Sequence, residues 1–516
     1  MNNNVFWFLL LVTSVTAVIA WKKAALGLSS VIAIVLLFSA VEVATNYPMI
    51  WRDVYLHGSA VKGILDVGHI ANTWDAYPAT YPGFFLLWST VSLVTGIQLF
   101  PSNLLLLLPV VVVLLAIILV LVYRRLSVSL STGAALFAFL LMNFNQNEFT
   151  FIHFDTRLLS LVFVLLFILL FLSKTGGAAR IVGLIVVYCA LVISHVLNSL
   201  VPVVFLAVYW LFERKRQNSE PFLVLSCASI YVAWNAYFGF PLLKQAFMNF
   251  ANINLSLETA VGYSPAAVGN SKPFFGTLLG DYYKVLLVIL MLISIYSMIK
   301  LRSQRRTRIL SYYLLSILFI YGVTFFSLRD ISVNRGIVFA SLSLAALPLI
   351  LLTSSKRIDL NLLKHKTRVR IIIILIVLLA IPQFMLVHEL PLARYGSVES
   401  IDATSRFLVS YRNGQSLVSL GNFPIYYCFY EPFYKGYNNL GFSGWNSLAN
   451  ITDFLLAGQD AGLRIVSYKQ IVDWGCILGH ADSYNESGSQ WDTEVYPKLD
   501  THFNRIYSNG FETIFR

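Results

Sequence analysis

Charge is scarce in this chain. Lys, Arg, Asp and Glu make up 12% of its 516 residues, 37 basic and 25 acidic, where soluble domains carry roughly 25%. So few ionised side chains cannot clothe a soluble surface of 58.0 kDa. Cysteine is scarce as well: there are four, in neither a CxxC nor a zinc-ligand spacing, which excludes a disulfide-stapled scaffold. Low polarity excludes disorder, and no internal repeat marks a solenoid or a fibre. The length alone would suggest about three or four ordinary domains. A hydrophobic fraction of 58% and a mean hydropathy of +0.72 override that prior. A polytopic membrane protein remains.

What is present supports it. A membrane helix needs about 20 apolar residues to cross about 30 Å of hydrocarbon. Runs of this kind occupy 5–21, 24–45, 103–123, 128–145, 156–173, 180–195, 197–212, 221–239, 281–300, 309–328, 336–353 and 370–388. The sequence therefore predicts about twelve transmembrane helices. A further apolar stretch, 83–99, lies between Pro82-Gly83 and Pro101. The first run lacks a basic lead-in and a small-residue cleavage site before Lys22, so it reads as a helix and not as a signal peptide.

Basic residues set the sidedness, because cytoplasmic loops collect Lys and Arg. With the N-terminus outside, alternate loops hold Lys22/Lys23, Arg124/Arg125, Lys174/Arg180, the 214–216 run, the 300–308 cluster and the 356–370 cluster: twenty of the 37 Lys and Arg, against eight in the opposite loops before residue 389. This asymmetry holds only if 83–99 does not cross, so that stretch reads as interfacial or re-entrant. The net charge of +12 is then an orientation signal, and nucleic acid is not a partner.

Two domains follow. Residues 1–388 form the transmembrane domain, with an outer loop over 46–100 that holds juxtamembrane helices. Residues 389–516 hold no spanning run, mix polar and aromatic residues, and lie outside by parity. They read as a small extracytoplasmic α/β domain, with helices near 399–411 and 447–459 and strands at 416–421 and 463–468. Asn509-Gly510, between alternating apolar residues, predicts a closing hairpin with a type I′ turn. Cys428 and Cys476 share this domain; a disulfide and two buried thiols are both open. Cys189 and Cys227 fall in apolar runs as packing residues. Asn254, Asn450 and Asn485 each open an N-glycosylation triplet on the predicted outer side.

Polar and ionisable groups at membrane depth are costly and therefore informative. Here they gather on the outer side. The first outer loop carries Arg52, Asp53, His57, Asp66, His69 and Asp75, then Tyr77-Pro78-Ala79-Thr80-Tyr81-Pro82. Later outer connections carry His153, Asp155 and Arg157; Ser194, His195 and Asn198; Lys272; and Arg329, Asp330 and Arg335. Asp53 and Asp155 stand where helices meet the outer boundary, and a carboxylate there can take a proton from an acceptor hydroxyl. Arg157, Lys272, Arg329 and Arg335 suit a phosphate, since guanidinium forks match its oxygens. Arg52, His57, His69, His153 and His195 complete the candidate substrate-binding set. The competing reading makes Asp155–Arg157 and Arg329–Asp330 structural ion pairs, and His195 a hydrogen-bonded core residue.

This layout resembles the GT-C superfamily of polytopic membrane glycosyltransferases. The residues that carry the resemblance are Asp53 at the head of the first large outer loop, the Tyr77-Pro78…Tyr81-Pro82 segment, and Asp155 within His153-Phe154-Asp155. Ser194-His195-Val196-Leu197-Asn198 and the C-terminal hairpin over 504–511 are similar to segments of prokaryotic members. In the family the acidic loop usually follows the first helix; here it follows the second. The Trp-Trp-Asp-Tyr-Gly motif of oligosaccharyltransferases is absent, with Asp473-Trp474-Gly475 a partial echo, and there is no DxD-like metal pair. The resemblance implies an inverting transfer from a polyprenyl-phosphate-sugar donor to an extracytoplasmic glycan, lipid or protein acceptor, at the plasma membrane. Asp53 would be the base, Asp155 the second acid, and neither cofactor nor metal is assigned. A lipid-linked-sugar flippase or transporter, an envelope polysaccharide polymerase or ligase, and a non-catalytic assembly protein are the alternatives. Transporters tend to show repeats and polar residues at the bilayer midplane, and this sequence shows neither.

Overall fold

The computed structural model describes residues 24–44, 52–70, 77–97, 101–128, 131–143, 156–173, 177–214, 221–240, 274–328, 330–354, 406–408, 417–420, 437–440, 463–467, 505–508 and 512–515, with a few isolated positions between. The helices are α1 (Ala24–Ala44), α2 (Arg52–Val67), the single turn α3 (Tyr77–Thr80), α4 (Gly83–Thr95), α5 (Pro101–Arg125), α6 (Ser131–Asn143), α7 (Thr156–Phe171), α8 (Ala178–Val192), α9 (Leu200–Glu213), α10 (Pro221–Tyr237), α11 (Phe274–Lys300), α12 (Arg305–Leu328) and α13 (Asp330–Ser354). The apolar runs predicted between residues 24 and 353 each coincide with a helix. The runs at 5–21 and 370–388 lie essentially outside the described residues. Among the described residues no helix is both long and apolar enough to cross a membrane.

The core is a bundle in which α5, α6, α7, α12 and α13 pack on one another and α1, α8, α9, α10 and α11 pack around them. Small residues let the backbones approach. Ala134, Ala135 and Ala138 on α6, and Ser341, Ser343, Ala345 and Ala346 on α13, are all buried. Two side-chain bonds cross between helices there: the Tyr123 hydroxyl donates to the Leu342 carbonyl at 2.7 Å and Ser343 Oγ to the Leu310 carbonyl at 2.8 Å. Other hydroxyls turn back on their own helix, as Ser30 does to Leu26, Ser297 to Ile293 and Ser316 to Tyr312. A hydroxyl with no water nearby must find such a partner. Large apolar side chains also face outward along whole helices: Val182 and Val186 on α8, Phe222, Leu225 and Val232 on α10, Val288, Leu292 and Ile299 on α11, Leu318 and Phe319 on α12.

α2 and α4 form a separate layer, packed on each other. α4 is 13 residues long, about 20 Å at 1.5 Å per residue. It ends at Gly96, whose φ of +70° is the left-handed cap that glycine tolerates best.

A five-stranded sheet follows in order β2-β1-β3-β5-β4: β1 (Leu417–Leu420), β2 (Tyr437–Leu440), β3 (Leu463–Ser467), β4 (Arg505–Ser508) and β5 (Glu512–Phe515). β1 pairs in parallel with β2 and β3, and β5 pairs antiparallel with β3 and β4. The predicted strands at 416–421 and 463–468 are β1 and β3. The predicted closing hairpin is formed by β4 and β5, with Ser508 paired to Thr513 and a register shift between Arg505 and Tyr507; its turn, 509–511, lies outside the described residues. The predicted helix at 447–459, Cys428, Cys476 and the glycosylation triplets lie outside the described residues, and of the helix at 399–411 only a short part is described.

The α5–α6 connection stores local strain. The Val128 amide bonds the Tyr123 carbonyl at 3.0 Å and the Ser127 amide the Arg124 carbonyl at 2.9 Å, the paired bonds of a Schellman cap. Its left-handed position is Ser127, with φ +54°, where a Cβ costs about 1–2 kcal/mol. Arg306 holds the turn by donating from Nη1 to the Ser127 carbonyl at 2.6 Å. Replacing Ser127→Gly should therefore stabilise the protein by about 1 kcal/mol, read as a higher thermal unfolding midpoint in detergent; an unchanged or lower midpoint contradicts the strain assignment.

Candidate functional site

The site grows from one turn. After α8 the chain does not continue into α9 but breaks at Ile193–Ser199, the Ser-His segment singled out from the sequence. Within it the Asn198 amide donates to His195 Nδ1 at 3.3 Å. A ring nitrogen that accepts carries no proton, so the His195 proton is assigned to Nε2. His195 is buried, and its ring meets the edge of Tyr77 with centroids 6.4 Å apart.

Asn198 binds this turn to two helices. Its Nδ2 donates to Ser160 Oγ on α7 at 2.5 Å, and its Oδ1 accepts the Tyr321 hydroxyl of α12 at 2.9 Å. Ser160 Oγ in turn donates to the Arg157 carbonyl at 2.8 Å. Tyr188 reaches over from α8 to the Ser199 carbonyl at 3.2 Å. Asn198 is 2% exposed, so each of these bonds replaces one that water would otherwise make.

The Tyr-Pro segment docks on the same turn. The Gly83 amide donates to the Ile193 carbonyl at 2.9 Å. A Cβ at Gly83 would lie 2.6 Å from Ser194 Oγ and 2.9 Å from Ile193 Cγ1, so glycine permits the contact. One turn back, the Tyr81 hydroxyl donates to Asn235 Oδ1 of α10 at 2.6 Å, and Asn235 Nδ2 donates to the Tyr231 carbonyl at 2.9 Å. Trp234 Nε1 donates to the Thr80 carbonyl at 3.3 Å. Burial first, and then Tyr231 and Tyr77, push the Tyr81 phenol far above its ordinary range, so it stays a hydrogen donor at any working pH.

The sequence-predicted residues fall into three groups. Arg157 and His195 are both buried; His195 belongs to the turn itself, and Arg157 is linked to it through its main-chain carbonyl, which accepts from Ser160. His57 and His69 are not brought to it by any described contact. The His57 ring sits 5.9 Å from Phe84 and 5.4 Å from Phe85, fixing α2 on α4. His69 is exposed beyond the end of α2, where Nδ1 lies 3.1 Å from the Val67 carbonyl. Asp66, beside it, pairs with Lys62 at 2.7 Å on an exposed face. The third group is not described in side chain. Arg52 and Asp53 open α2, and Arg335 lies in the first turns of α13. His153, Asp155, Lys272 and Arg329 lie outside the described residues.

The backbone still locates several of these. In sequence Asp155 immediately precedes α7, which begins at Thr156. Arg335 precedes Gly336, whose missing Cβ would lie 3.0 Å from Tyr321 Cβ, and Arg329 separates α12 from α13. The starts of α7 and α13 and the Ser-His turn therefore meet at one end of the bundle, joined through Tyr321, Asn198 and Ser160. Among the described residues no three His, Cys, Asp or Glu side chains converge as a metal-ligand group.

Sequence reasoning missed Ser160, Asn235 and Tyr321, and gave Tyr81 only as part of the Tyr-Pro segment. A lone Asn in the apolar run 221–239 was the available signal for Asn235, since a buried amide needs partners. Nothing in a single sequence pairs it with Tyr81, 154 positions away.

The fold is that of the GT-C membrane glycosyltransferases, the superfamily that the sequence resembles. Two solved structures show the likeness. ArnT from Cupriavidus metallidurans, bound to undecaprenyl phosphate, matches at a TM-score of 0.50 and 11% identity over 93% of this chain and 97% of that one. The archaeal oligosaccharyltransferase AglB from Archaeoglobus fulgidus, in complex with an inhibitory peptide and a dolichol-phosphate, matches at a TM-score of 0.51 and 13% identity over 89% of this chain and 72% of that one. At such identities the likeness is one of fold. No protein-family model matches the chain, and no curated protein matches it in sequence.

The Tyr81–Asn235 bond can be tested directly. Tyr81→Phe leaves a buried acceptor without its donor, which costs about 1–3 kcal/mol. Gly239→Ala should cost a similar amount, because a Cβ there would lie 2.6 Å from Asn235 Oδ1 and 2.8 Å from the Tyr81 hydroxyl. Thermal unfolding of the two single variants and the double variant should show losses smaller than additive; full additivity would mean that the two changes act on separate contacts.

Proposed function

We propose that this protein is a membrane glycosyltransferase that moves a sugar from a polyprenyl-phosphate donor to an extracytoplasmic acceptor with inversion. The observation that carries the reading is the whole-length likeness to a fold solved with undecaprenyl phosphate bound. The local geometry supports it: the Tyr-Pro segment, the Ser-His turn and the helix starts next to Asp155 and Arg335 meet at one end of the bundle. The outward rows of Leu, Val, Ile and Phe on α8, α10, α11 and α12 support a bilayer around it, since soluble monomers rarely expose large contiguous apolar surface. We read the chain as multi-pass in the plasma membrane with about twelve crossings. The mixed sheet after residue 417 supports the reading of 389–516 as a small α/β extracytoplasmic domain.

In the proposed reaction the acceptor hydroxyl gives its proton to the Asp53 carboxylate, and the acceptor oxygen bonds to the anomeric carbon. The bond from that carbon to the donor phosphate oxygen breaks, and the polyprenyl phosphate leaves with the electron pair. Charge therefore grows on the phosphate, and guanidinium or ammonium groups beside it stabilise the transition state. Arg157, Lys272, Arg329 and Arg335 are the candidates, with Asp155 as a second acid and Arg52, His153 and His195 as polar contacts. His57 and His69 are left to packing and to the helix end. No metal is assigned, because the sequence lacks the paired acids that would hold one. The sugar is a hexose or a pentose, and the acceptor is a glycan, a lipid or a protein.

Asp53→Asn should lower transfer from a polyprenyl-phosphate-sugar by about 10²–10⁴-fold, the range for a lost general base, in purified protein that stays folded and still binds lipid. Unchanged turnover removes Asp53 from the reaction. Movement of the lipid-linked sugar across vesicles with no covalent product would identify a flippase instead.

A further inference from the structure

The end of the bundle away from the candidate site collects cations from three separate helix ends. α7 runs from Arg157 and Ser160 to Phe171, whose ring meets Phe205 and Tyr209 of α9 at 5.2 and 5.0 Å. Beyond that aromatic group α9 ends at Glu213-Arg214, α5 ends at Arg124-Arg125, and the α11–α12 connection holds Lys300, Arg302, Arg305, Arg306 and Arg308. Described contacts join all three. Arg306 bonds the Ser127 carbonyl next to α5, Arg305 bonds Tyr209, and Arg308 grips Glu213 with Nε at 2.5 Å and Nη2 at 3.3 Å.

The charge balance at this end is one-sided. Glu213 is the one carboxylate among the described residues there; it is buried and answered by Arg308 and by the Tyr312 hydroxyl at 3.0 Å. Arg125, Arg214, Lys300, Arg302 and Arg305 are exposed around it. Apolar side chains stand directly beside them: Leu211 and Phe212 on α9 and Ile299 on α11 are 58%, 62% and 69% exposed. A cationic rim above an exposed apolar wall matches an anionic headgroup with its acyl chains, whereas a soluble anion would have no use for the wall.

We propose that the α5, α9 and α11–α12 ends form a binding site for an anionic phospholipid, with Arg125, Arg302 and Arg305 on its phosphate and Phe212 and Ile299 along its acyl chains. This rests on the membrane reading above and not on the glycosyl transfer. Basic clusters between membrane helices hold anionic headgroups in this way, through coulombic attraction that falls off within a Debye length.

The test is native mass spectrometry of the full chain, purified in detergent and titrated with phosphatidylglycerol or phosphatidylcholine. The expected result is retention of phosphatidylglycerol over phosphatidylcholine by at least about tenfold. The triple variant Arg125→Gln, Arg302→Gln, Arg305→Gln should bring that ratio close to one, while the matching triple Lys variant, which keeps the charge and the orientation signal, should keep most of it. Equal retention of both lipids by the wild type, or an unchanged ratio in the Gln variant, overturns the site. Displacement of the lipid by millimolar orthophosphate also overturns it, in favour of a soluble anion. No sugar transfer enters this measurement, so an inactive enzyme with the full lipid preference overturns the function proposed above and leaves the site standing. A chain recovered in the soluble fraction overturns both.

Discussion

A buried amide side chain has to be answered on both its oxygen and its nitrogen, and Asn198 is where this fold meets that requirement. Its two bonds leave the turn in different directions, to Ser160 on α7 and Tyr321 on α12, and its main chain holds His195. Because no described part of Asn198 reaches solvent to any extent, breaking one bond strands a polar atom in an apolar setting, and the cost is larger than the bond itself was worth. The break between α8 and α9, the starting turn of α7 and the end of α12 are thereby fixed relative to one another. Tyr81 and Asn235 solve the same problem for the Tyr-Pro segment and α10. The candidate site is built on these two anchors.

The opposite end of the bundle follows a different rule. There the charged groups are partly exposed, and the buried carboxylate of Glu213 is made tolerable by a two-toothed guanidinium and a phenol. Isolating Glu213 from Arg308 would leave an uncompensated charge, so the pair is better understood as fixing how α9 meets α12 than as a net gain in stability. The stacked rings of Phe212 and Tyr312, 5.5 Å apart and 10° from parallel, complete that joint.

Most of the helical architecture was legible because the apolar runs are long and the signal for a helix in such runs is strong. α1 begins at the residue predicted for it and ends within one residue of it, and the Pro82-Gly83 boundary correctly marks where α4 starts. Juxtamembrane helices were expected within the 46–100 loop, but the bounds of α2 were not legible, since Arg52, Asp53, His57, Lys62 and Asp66 break its apolar pattern and its buried face comes from packing, chiefly on α4. The closing hairpin was legible from the alternating apolar residues on either side of Asn509-Gly510, which are the antiparallel strands β4 and β5. At the site, Arg157 and His195 were legible as polar residues in apolar surroundings. The pairing of Tyr321 with Asn198 spans 123 positions and has no local trace, and neither has the role of Gly83, which depends on the backbone of Ile193 coming close.

The shortness of α4 has a consequence for the whole chain. In the proposed arrangement every later segment takes its side of the membrane from the number of crossings before it, so α4, closed after 13 residues by Gly96, acts as a parity element if it is not one of them. About seven more apolar residues would give it the length to span, and each loop after it would then be asked to change sides. Gly96 and Pro101 bracket the place where such growth would have to occur, and the arginines at the end of α5 would resist it. In that proposed arrangement a helix with a firm glycine stop bears on the orientation of everything downstream, and with it on the face to which the proposed acids are assigned.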